Sequence, residues 1–424
     1  GSRLESFLSP ARRELPRSVS EAGRPMKHLG VRETALLRAL VRAGGEGARS
    51  APEFTFDSGR LDWNSLYEAA KRHHLAPLAC AGSRLLRERL DGAPEWFFEK
   101  LTNARYLEIA KAMVRLSHVE ELGAAAYRES LDLYLLKGSA FATTLYADPG
   151  LRPMSDIDLL VRPEAFEQWS RLLEEMGYAL LDAADHATGF LRRDSGVVVE
   201  LHRDLTSAAR FLALDIGAVL ERSRPVEAPE GVRLRTLSDE DHLLHLSLHA
   251  SFQHGFRQPG VNAWDARLLA QRTGLSVRDF VGRARHERLA PWIYGGLSMT
   301  AALFESPRLD GILSALEDVV PRATVRKSRR FRSEALLSPE PGAVFGTPIA
   351  RLGWTGFHST IFSLLWEISQ PRPGAWPRSL SARTQRVLQL MKIHGLAMMV
   401  PSRERATALP MSPTLASLGE VRDV

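Results

Sequence analysis

The sequence predicts an α+β fold in which a small mixed sheet forms a core flanked by N-terminal and C-terminal mostly helical domains. Two observations support this prediction. Residues 31–128 and 237–370 carry apolar residues at spacings of three and four, which is typical of amphipathic helices. Between them, residues 129–236 contain short apolar, β-compatible runs that alternate with helical patterns. A chain of 424 residues is also too long for one simple core.

The first two segments are a flexible N-terminal arm (1–30) and an N-terminal helical domain (31–128). The arm is rich in Arg, Ser and Pro and has no hydrophobic signal-peptide core. In the helical domain, VRETALLRALVRA predicts a helix that ends at the Gly-rich break GGEGARSAPE. LDWNSLYEAAKRHHLAPLACAGSRLLRERL predicts two more helices, and residues 94–128 predict one long helix.

The core segment, residues 129–236, predicts strands and helices in alternation. LDLYLL and DIDLLV read as strands, joined by the turn Lys137-Gly138-Ser139 and the two helical turns of AFATTLYA. PEAFEQWSRLLEEMGY predicts a helix that begins at Pro163 and is capped by Gly177. GFLRRDSGVVVELH predicts a β-hairpin.

The remaining chain predicts a C-terminal helical domain (237–370) and then a Pro-rich linker, a helix and a disordered tail (371–424). The first helix, SDEDHLLHLSLHASFQHGF, has Ser238 as its N-cap. Further helices are predicted near AWDARLLAQR, VRDFVGRARHE, WIYGGLSMTAALF and LDGILSALEDVV.

Composition sets limits on compartment and partners. The 56 Lys and Arg residues exceed the 50 Asp and Glu residues, and a net charge of +6 permits an anionic partner without requiring one. Cys80 is the only cysteine, so no intrachain disulfide or cysteine-based zinc site can form, and a cytoplasmic location is expected. No apolar run reaches the length of about 18 residues that a membrane span requires, so no membrane partner is expected.

Two aspartates in an apolar strand give the clearest functional signal. Alternation along a strand places Asp156 and Asp158 on one face, where two close carboxylates repel each other unless a cation binds. An exposed strand end with both acids solvated is the structural alternative. Glu200 supplies a third acid on the later strand VVVELH, and three carboxylates can hold two Mg²⁺ or Mn²⁺ ions. The turn at Gly138 and Ser139 offers backbone N–H groups to a phosphate.

The stretch LLKGSAFATTLYADPGLRPMSDIDLLV resembles the nucleotidyltransferase superfamily that includes DNA polymerase beta. It is most similar to the bacterial uncharacterised nucleotidyltransferase family, with its Lys-Gly turn and D-I-D-L-L-V strand. The likeness covers most of residues 60–270 and is strongest over 131–202. It implies that Asp156, Asp158 and Glu200 bind metal and that Gly138 and Ser139 contact nucleotide phosphates. The sequence departs from the superfamily at Lys137, where a small residue is usual, and at Glu200, where Asp is more usual.

The predicted activity is therefore transfer of NMP, with ATP as the expected donor, and release of pyrophosphate. The acceptor remains open among a small molecule, a peptide, a protein and RNA. Three alternatives are kept: a non-enzymatic nucleotide- or RNA-binding module, a toxin-like transferase acting on tRNA, and a phosphotransferase that uses the same metals.

Several secondary residues surround this predicted core site. Lys137 and Arg152 can pair with phosphate, although a lysine that caps the turn and a solvated loop arginine are the alternatives. His202, His249 and Asp265 are predicted to face substrate, and packing is the alternative for His202. A row of histidines has a spacing that can bind zinc, although ordinary helix packing is favoured: His242, His245, His249 and His254. The basic segment 322–332 can contact RNA, or it can form a solvated face.

Overall fold

The computed structural model describes residues 29–50, 61–183, 186–206, 214–254, 256 and 258–337. All of them lie in one compact unit. The predicted linker and tail, and nearly all of the predicted N-terminal arm, lie outside the described residues. Within the described ranges, every helix is too short or too polar to cross a lipid bilayer.

Four helices form the N-terminal part: α1 (Val31–Glu46), α2 (Trp63–Arg72), α3 (Ala76–Leu85) and α4 (Glu95–Arg128). The side chain of Asp62 caps α2 by accepting a hydrogen bond from the backbone N–H of Ser65, at 3.0 Å. The helix ends within the predicted Gly-rich break, but later than its first glycine, because α1 continues to Glu46 and Gly47 follows with a φ of +92°. Gly44 lies where α1 packs on α3, and a Cβ atom there would collide with the carbonyl oxygen of Leu78. The glycine is needed for a close helix contact rather than for a turn.

A seven-stranded mixed sheet forms the core, as predicted, with the order β3-β4-β5-β2-β1-β7-β6. Strand β2 pairs in parallel with β5 and antiparallel with β1, so it lies near the centre of the sheet. The predicted hairpin is confirmed as the antiparallel pair β4–β5. Strands β3, β6 and β7 were not predicted. The strands are β1 (Tyr134–Leu135), β2 (Ile157–Leu160), β3 (Tyr178–Ala183), β4 (Ala187–Arg192), β5 (Val197–His202), β6 (Arg224–Pro225) and β7 (Arg235–Thr236).

Three helices connect these strands: α5 (Lys137–Thr144), α6 (Phe166–Glu175) and α7 (Ile216–Glu221). Helix α5 contacts β2 directly. Helix α6 buries Phe166, Trp169 and Leu173, which recur at helical spacing, and Gly177 follows it with a φ of +86°, as predicted for a C-terminal cap. The sheet therefore holds the segments that contain the predicted acids in a rigid, packed setting.

The C-terminal part is helical, with α8 (Asp239–Leu248), α9 (Gly260–Ala270), α10 (Val277–His286), α11 (Ala290–Leu303), α12 (Pro307–Glu317), α13 (Arg322–Ser328) and α14 (Ser333–Leu336). Ser238 caps α8, since its Oγ accepts the backbone N–H of Asp241 at 3.1 Å. A π-helical turn, His249–Gln253, follows α8 directly. The prediction of a mixed sheet with helical flanks is confirmed.

Candidate active site

The register of two parallel strands places the acidic side chains together. Asp158 on β2 is the direct neighbour of Glu200 on β5, and His202 lies two residues further along β5. One ligand atom from each of these three side chains lies within 4.8 Å of the others. Asp156 stands two residues before Asp158, and its carboxylate accepts a hydrogen bond from Ser155 Oγ at 3.0 Å. The strand pairing therefore creates a compact group of metal-ligating side chains in the centre of the sheet.

Lys137 lies against this group. Its ammonium Nζ donates to Asp158 Oδ1 at 2.7 Å, and the lysine side chain is only 12% exposed. The backbone φ of Lys137 is +44°, in the left-handed region that favours glycine. This conformation explains why a small residue was expected at the start of α5. Burial acts to lower the pKa of Lys137, but Asp158, Glu200 and Asp156 together raise it, so the group is protonated.

His202 bridges two of the carboxylates. Its Nε2 lies 3.1 Å from Asp158 Oδ1 and 3.2 Å from Glu200 Oε2. Burial acts to lower the pKa of His202, and the hydrogen bonds to Asp158 and Glu200 outweigh it, so the pKa is raised. Sequence reasoning placed His202 on the same face as Glu200 but did not predict that it also reaches Asp158.

The surroundings favour the ionised form of Asp158 and disfavour that of Asp156. Burial and the repulsion of Asp158 raise the pKa of Asp156 to about 6. Burial also acts to raise the pKa of Asp158, but Lys137 and His202 hold it well below its ordinary value. Asp158 is thus a firmly ionised anchor, whereas Asp156 carries its charge at an electrostatic cost. Because a divalent cation would offset that cost, the carboxylate set fits Mg²⁺ or Mn²⁺, and the imidazole of His202 is also acceptable to Mn²⁺.

The side chain of Ser139 is fully buried and links α5 to β2. Its Oγ lies 2.7 Å from the carbonyl oxygen of Leu136 and 2.8 Å from that of Asp158, and it can donate to either. The neighbouring Gly138 is also buried, and a Cβ atom there would come within 2.8 Å of Met154 Cγ. A contact with phosphate would therefore involve the backbone of these two residues rather than the serine hydroxyl.

Arg152 and Asp265 form a separate buried network. The Nε atom of Arg152 donates to both oxygens of Asp265, at 2.8 and 3.0 Å, and its Nη2 donates to Asn262 at 3.0 Å. The Tyr146 hydroxyl donates to Asp265 at 2.6 Å, and the aspartate is completely buried. The structure therefore brings Arg152 to Asp265 and not to the Asp158 group, and it joins the loop before β2 to α9.

His245 on α8 and His249 in the turn after it interact electrostatically with Lys137 and Asp158. His245 and His249 are buried, and burial, followed by the charge of Lys137, holds their pKa values well below the ordinary range. Within the described part of the chain, both ring nitrogens of His245 and the Nδ1 atom of His249 have no hydrogen-bond partner. Among the described residues, the possible metal-ligand group consists of Asp158, Glu200 and His202, and it includes neither Asp156 nor any histidine of residues 242–254. His245 was predicted only as part of the helical row, and no sequence signal placed it near Lys137.

The predicted basic segment forms part of the surface. Arg326 on α13 is exposed, as are Arg329, Arg330 and Arg332 after it, and Lys327 is half-buried. Such a cluster can contact a polyanion through its guanidinium groups.

The sequence matches a known protein family. Residues 59–305, more than half of the chain, match the model of a family described as uncharacterised nucleotidyltransferase. An antigenic nucleotidyltransferase-like protein from Paracoccidioides brasiliensis, known from its crystal structure, is similar at 17% identity and a TM-score of 0.33. That alignment covers 46% of this chain and 92% of the other. No curated protein matches the sequence.

Proposed function

The chain belongs to the uncharacterised nucleotidyltransferase family, and from that premise we propose that it transfers NMP, with ATP as donor, to a nucleophilic acceptor and releases pyrophosphate. The observation that carries the proposal is the convergence of Asp158, Glu200 and His202 next to the start of α5. Carboxylates can hold the divalent cation, and a helix N-terminus can hold the phosphates that this reaction requires.

In the proposed site, Asp158 and Glu200 hold the divalent cation, Mg²⁺ or Mn²⁺, and Asp156 completes the carboxylate set. When bound, the metal supplies positive charge to the triphosphate and to the leaving pyrophosphate. Leu136 is the N-cap residue of α5, and its apolar side chain cannot accept a hydrogen bond from the first turn of the helix. The backbone N–H groups of Gly138 and Ser139 can therefore donate to a phosphate. The buried network of Arg152 and Asp265 holds the loop before β2 in position.

Glu200 is the proposed proton acceptor for the nucleophile. Its side chain is 36% exposed, compared with 6% for Asp158, so it is the more accessible carboxylate for an incoming acceptor. In the reaction, the acceptor oxygen or nitrogen forms a bond to the α-phosphorus, and the bond between that phosphorus and the bridging oxygen breaks. The proton of the acceptor passes to Glu200, whose hydrogen bond with His202 fixes its orientation.

The acceptor class stays open among a small molecule, a peptide, a protein and RNA. The exposed arginines of residues 322–332 support the inclusion of RNA, and tRNA in particular, in any acceptor survey. The proposed location is cytoplasmic, because the single cysteine, Cys80, is buried and has no disulfide partner.

The proposal is tested by incubation of the purified full chain with each α-labelled NTP, Mg²⁺ or Mn²⁺, and a lysate of the host cells. The labelled products are separated into RNA, protein and small-molecule fractions. We expect metal-dependent label in one fraction and none with the Asp156→Asn/Asp158→Asn variant. The single variant Asp91→Asn, at an exposed position, is the matched control and should label normally. Equal labelling by the double variant would refute the assignment, and metal-dependent ATP binding without labelled product would support the binding-module alternative.

A further inference from the structure

Lys137 is placed as a cation among the carboxylates. Its Nζ lies 2.7 Å from Asp158 Oδ1, and both side chains are almost completely buried. The charges of Glu200 and Asp156 also act favourably on the ammonium group. In the structure the lysine therefore occupies part of the space next to Asp158 that a metal ligated by this carboxylate would use.

The backbone at this position is a second, independent observation. Lys137 adopts a φ of +44°, a conformation that carries strain for every residue with a Cβ atom and none for glycine. Strained residues of this kind cluster at functional sites, where the strain is part of the mechanism. A glycine would fit the turn better, so the chain retains the lysine for its side chain rather than for its backbone.

The charges support the same conclusion. Asp156, Asp158 and Glu200 carry three negative charges when ionised, and Lys137 cancels one of them. The two charges that remain equal the charge of a single divalent cation. A site with the same carboxylates and a glycine at position 137 would keep all three negative charges, one more than a single divalent cation neutralises.

We propose that the ammonium group of Lys137 replaces one of the two divalent cations, so that the chain binds one metal ion together with its nucleotide. This inference rests on the proposed function. In the proposed reaction, Lys137 forms no bond to the reacting atoms. The lysine supplies fixed positive charge beside Asp158, and the remaining carboxylate oxygens bind the ion that accompanies the triphosphate.

The test counts Mn²⁺ bound per full chain by equilibrium dialysis. A saturating ATP analogue, in which a methylene group replaces the α,β-bridging oxygen, is present on both sides of the membrane, so that Mn²⁺ held by free analogue cancels. We expect one Mn²⁺ per chain for the natural sequence and for Lys137→Arg, which keeps the charge. We expect two for Lys137→Gly, which removes the charge and suits the backbone. Lys100→Ala is the surface control and should bind one, because Lys100 is exposed on α4.

Two Mn²⁺ ions bound by the natural sequence would overturn the proposal, and would indicate that the lysine moves away when nucleotide binds. A count of one for a folded Lys137→Gly chain, checked by circular dichroism, would overturn it as well. If that variant does not fold, the count for the natural sequence still decides. The two proposals can fail separately, because Mn²⁺ is counted with an analogue that prevents transfer. Two Mn²⁺ ions per chain in an active protein would refute only the lysine inference. One Mn²⁺ ion in a protein that never transfers label would refute only the proposed activity.

Discussion

Asp156 is predicted to lower the stability of the metal-free protein, and Asp156→Asn should therefore stabilise it. Burial and the nearby charge of Asp158 disfavour the ionised form of Asp156, and they raise its pKa from 3.8 to about 6. Asparagine has nearly the same shape and carries no charge. The substitution removes the unfavourable charge and keeps an oxygen that can accept the hydrogen bond from Ser155.

The magnitude follows from the pKa difference between the folded and unfolded states. A pKa raised from 3.8 to about 6 corresponds to about 3 kcal/mol at neutral pH. Asp156 is only partly buried, and screening by water reduces this value, so we expect a gain of about 1–3 kcal/mol in the free energy of unfolding. Because the folded pKa is the higher one, the folded state holds the proton longer as pH rises. The advantage of Asn is therefore complete above pH 6 and disappears near pH 4.

Urea denaturation in the presence of a chelator, at several pH values between 4 and 8, measures this effect. The exposed Asp91→Asn is the matched control and should change stability by less than about 0.5 kcal/mol. Equal or lower stability of Asp156→Asn at pH 7 would refute the reasoning that the carboxylates are held together at an electrostatic cost. The same variant should bind Mn²⁺ more weakly than the natural sequence, which separates the stabilising effect from the functional one.

Three further predictions concern the surrounding structure. Arg152→Met and Asp265→Leu should each lower the free energy of unfolding by about 3–5 kcal/mol, because each leaves a buried charge without its partner. The double variant should lose clearly less than the sum in a urea-denaturation cycle, and an additive loss would contradict the network. Between pH 7 and pH 5 the natural sequence should lose about 2 kcal/mol more than His242→Gln in urea titrations. Burial lowers the pKa of this histidine from 6.5 to about 3. As pH falls, the unfolded state therefore binds a proton before the folded state does, and the protein loses stability. Parallel stability profiles of the natural sequence and His242→Gln would contradict this. Gly82→Ala should lower the melting temperature, because the new Cβ atom would collide with α1. Gly282 has open space around it, so Gly282→Ala should raise the free energy of unfolding by about 0.5–1 kcal/mol. The opposite order of stabilities would contradict the packing described.

Local patterns were sufficient to predict the long helices and the class of the fold. The apolar periodicity of residues 31–128 and of the segments after residue 237 matches the helices that form, and the cap at Ser238 is confirmed. Strands β6 and β7 contain two residues each, too few for a local pattern. Strand β6 pairs with β7, and β7 depends on its pairing with β1, about a hundred positions earlier. The end of α1 was misplaced for a related reason, because the close packing of Gly44 on α3 is a tertiary contact. The predicted domain boundaries stay predictions.

The sequence singled out Asp158 and Glu200, which the paired strands bring together, but it did not reveal their basic partners, and the metal-binding role of Asp156 stays a prediction. The spacing of Asp156 and Asp158 and the apolar strand around Glu200 are local features, so the sequence alone was enough to single out these carboxylates. The partners of Asp158 and Arg152 depend on long-range geometry. Arg152 and Asp265, for example, are separated by 113 positions in the sequence. The ion pair of Lys137 with Asp158 depends on a left-handed backbone that lysine rarely adopts, which is why the sequence left its partner unsettled.

The most direct test of the proposed activity follows two labels in parallel reactions, one with α-labelled ATP and one with γ-labelled ATP, in the presence of Mn²⁺ and the lysate fraction that contains the acceptor. Transfer of NMP predicts α-label in the acceptor and γ-label in pyrophosphate, with both signals lost in Asp158→Asn. Label from the γ-position in the acceptor, with ADP as the product, would contradict the account and assign the site to phosphotransfer instead.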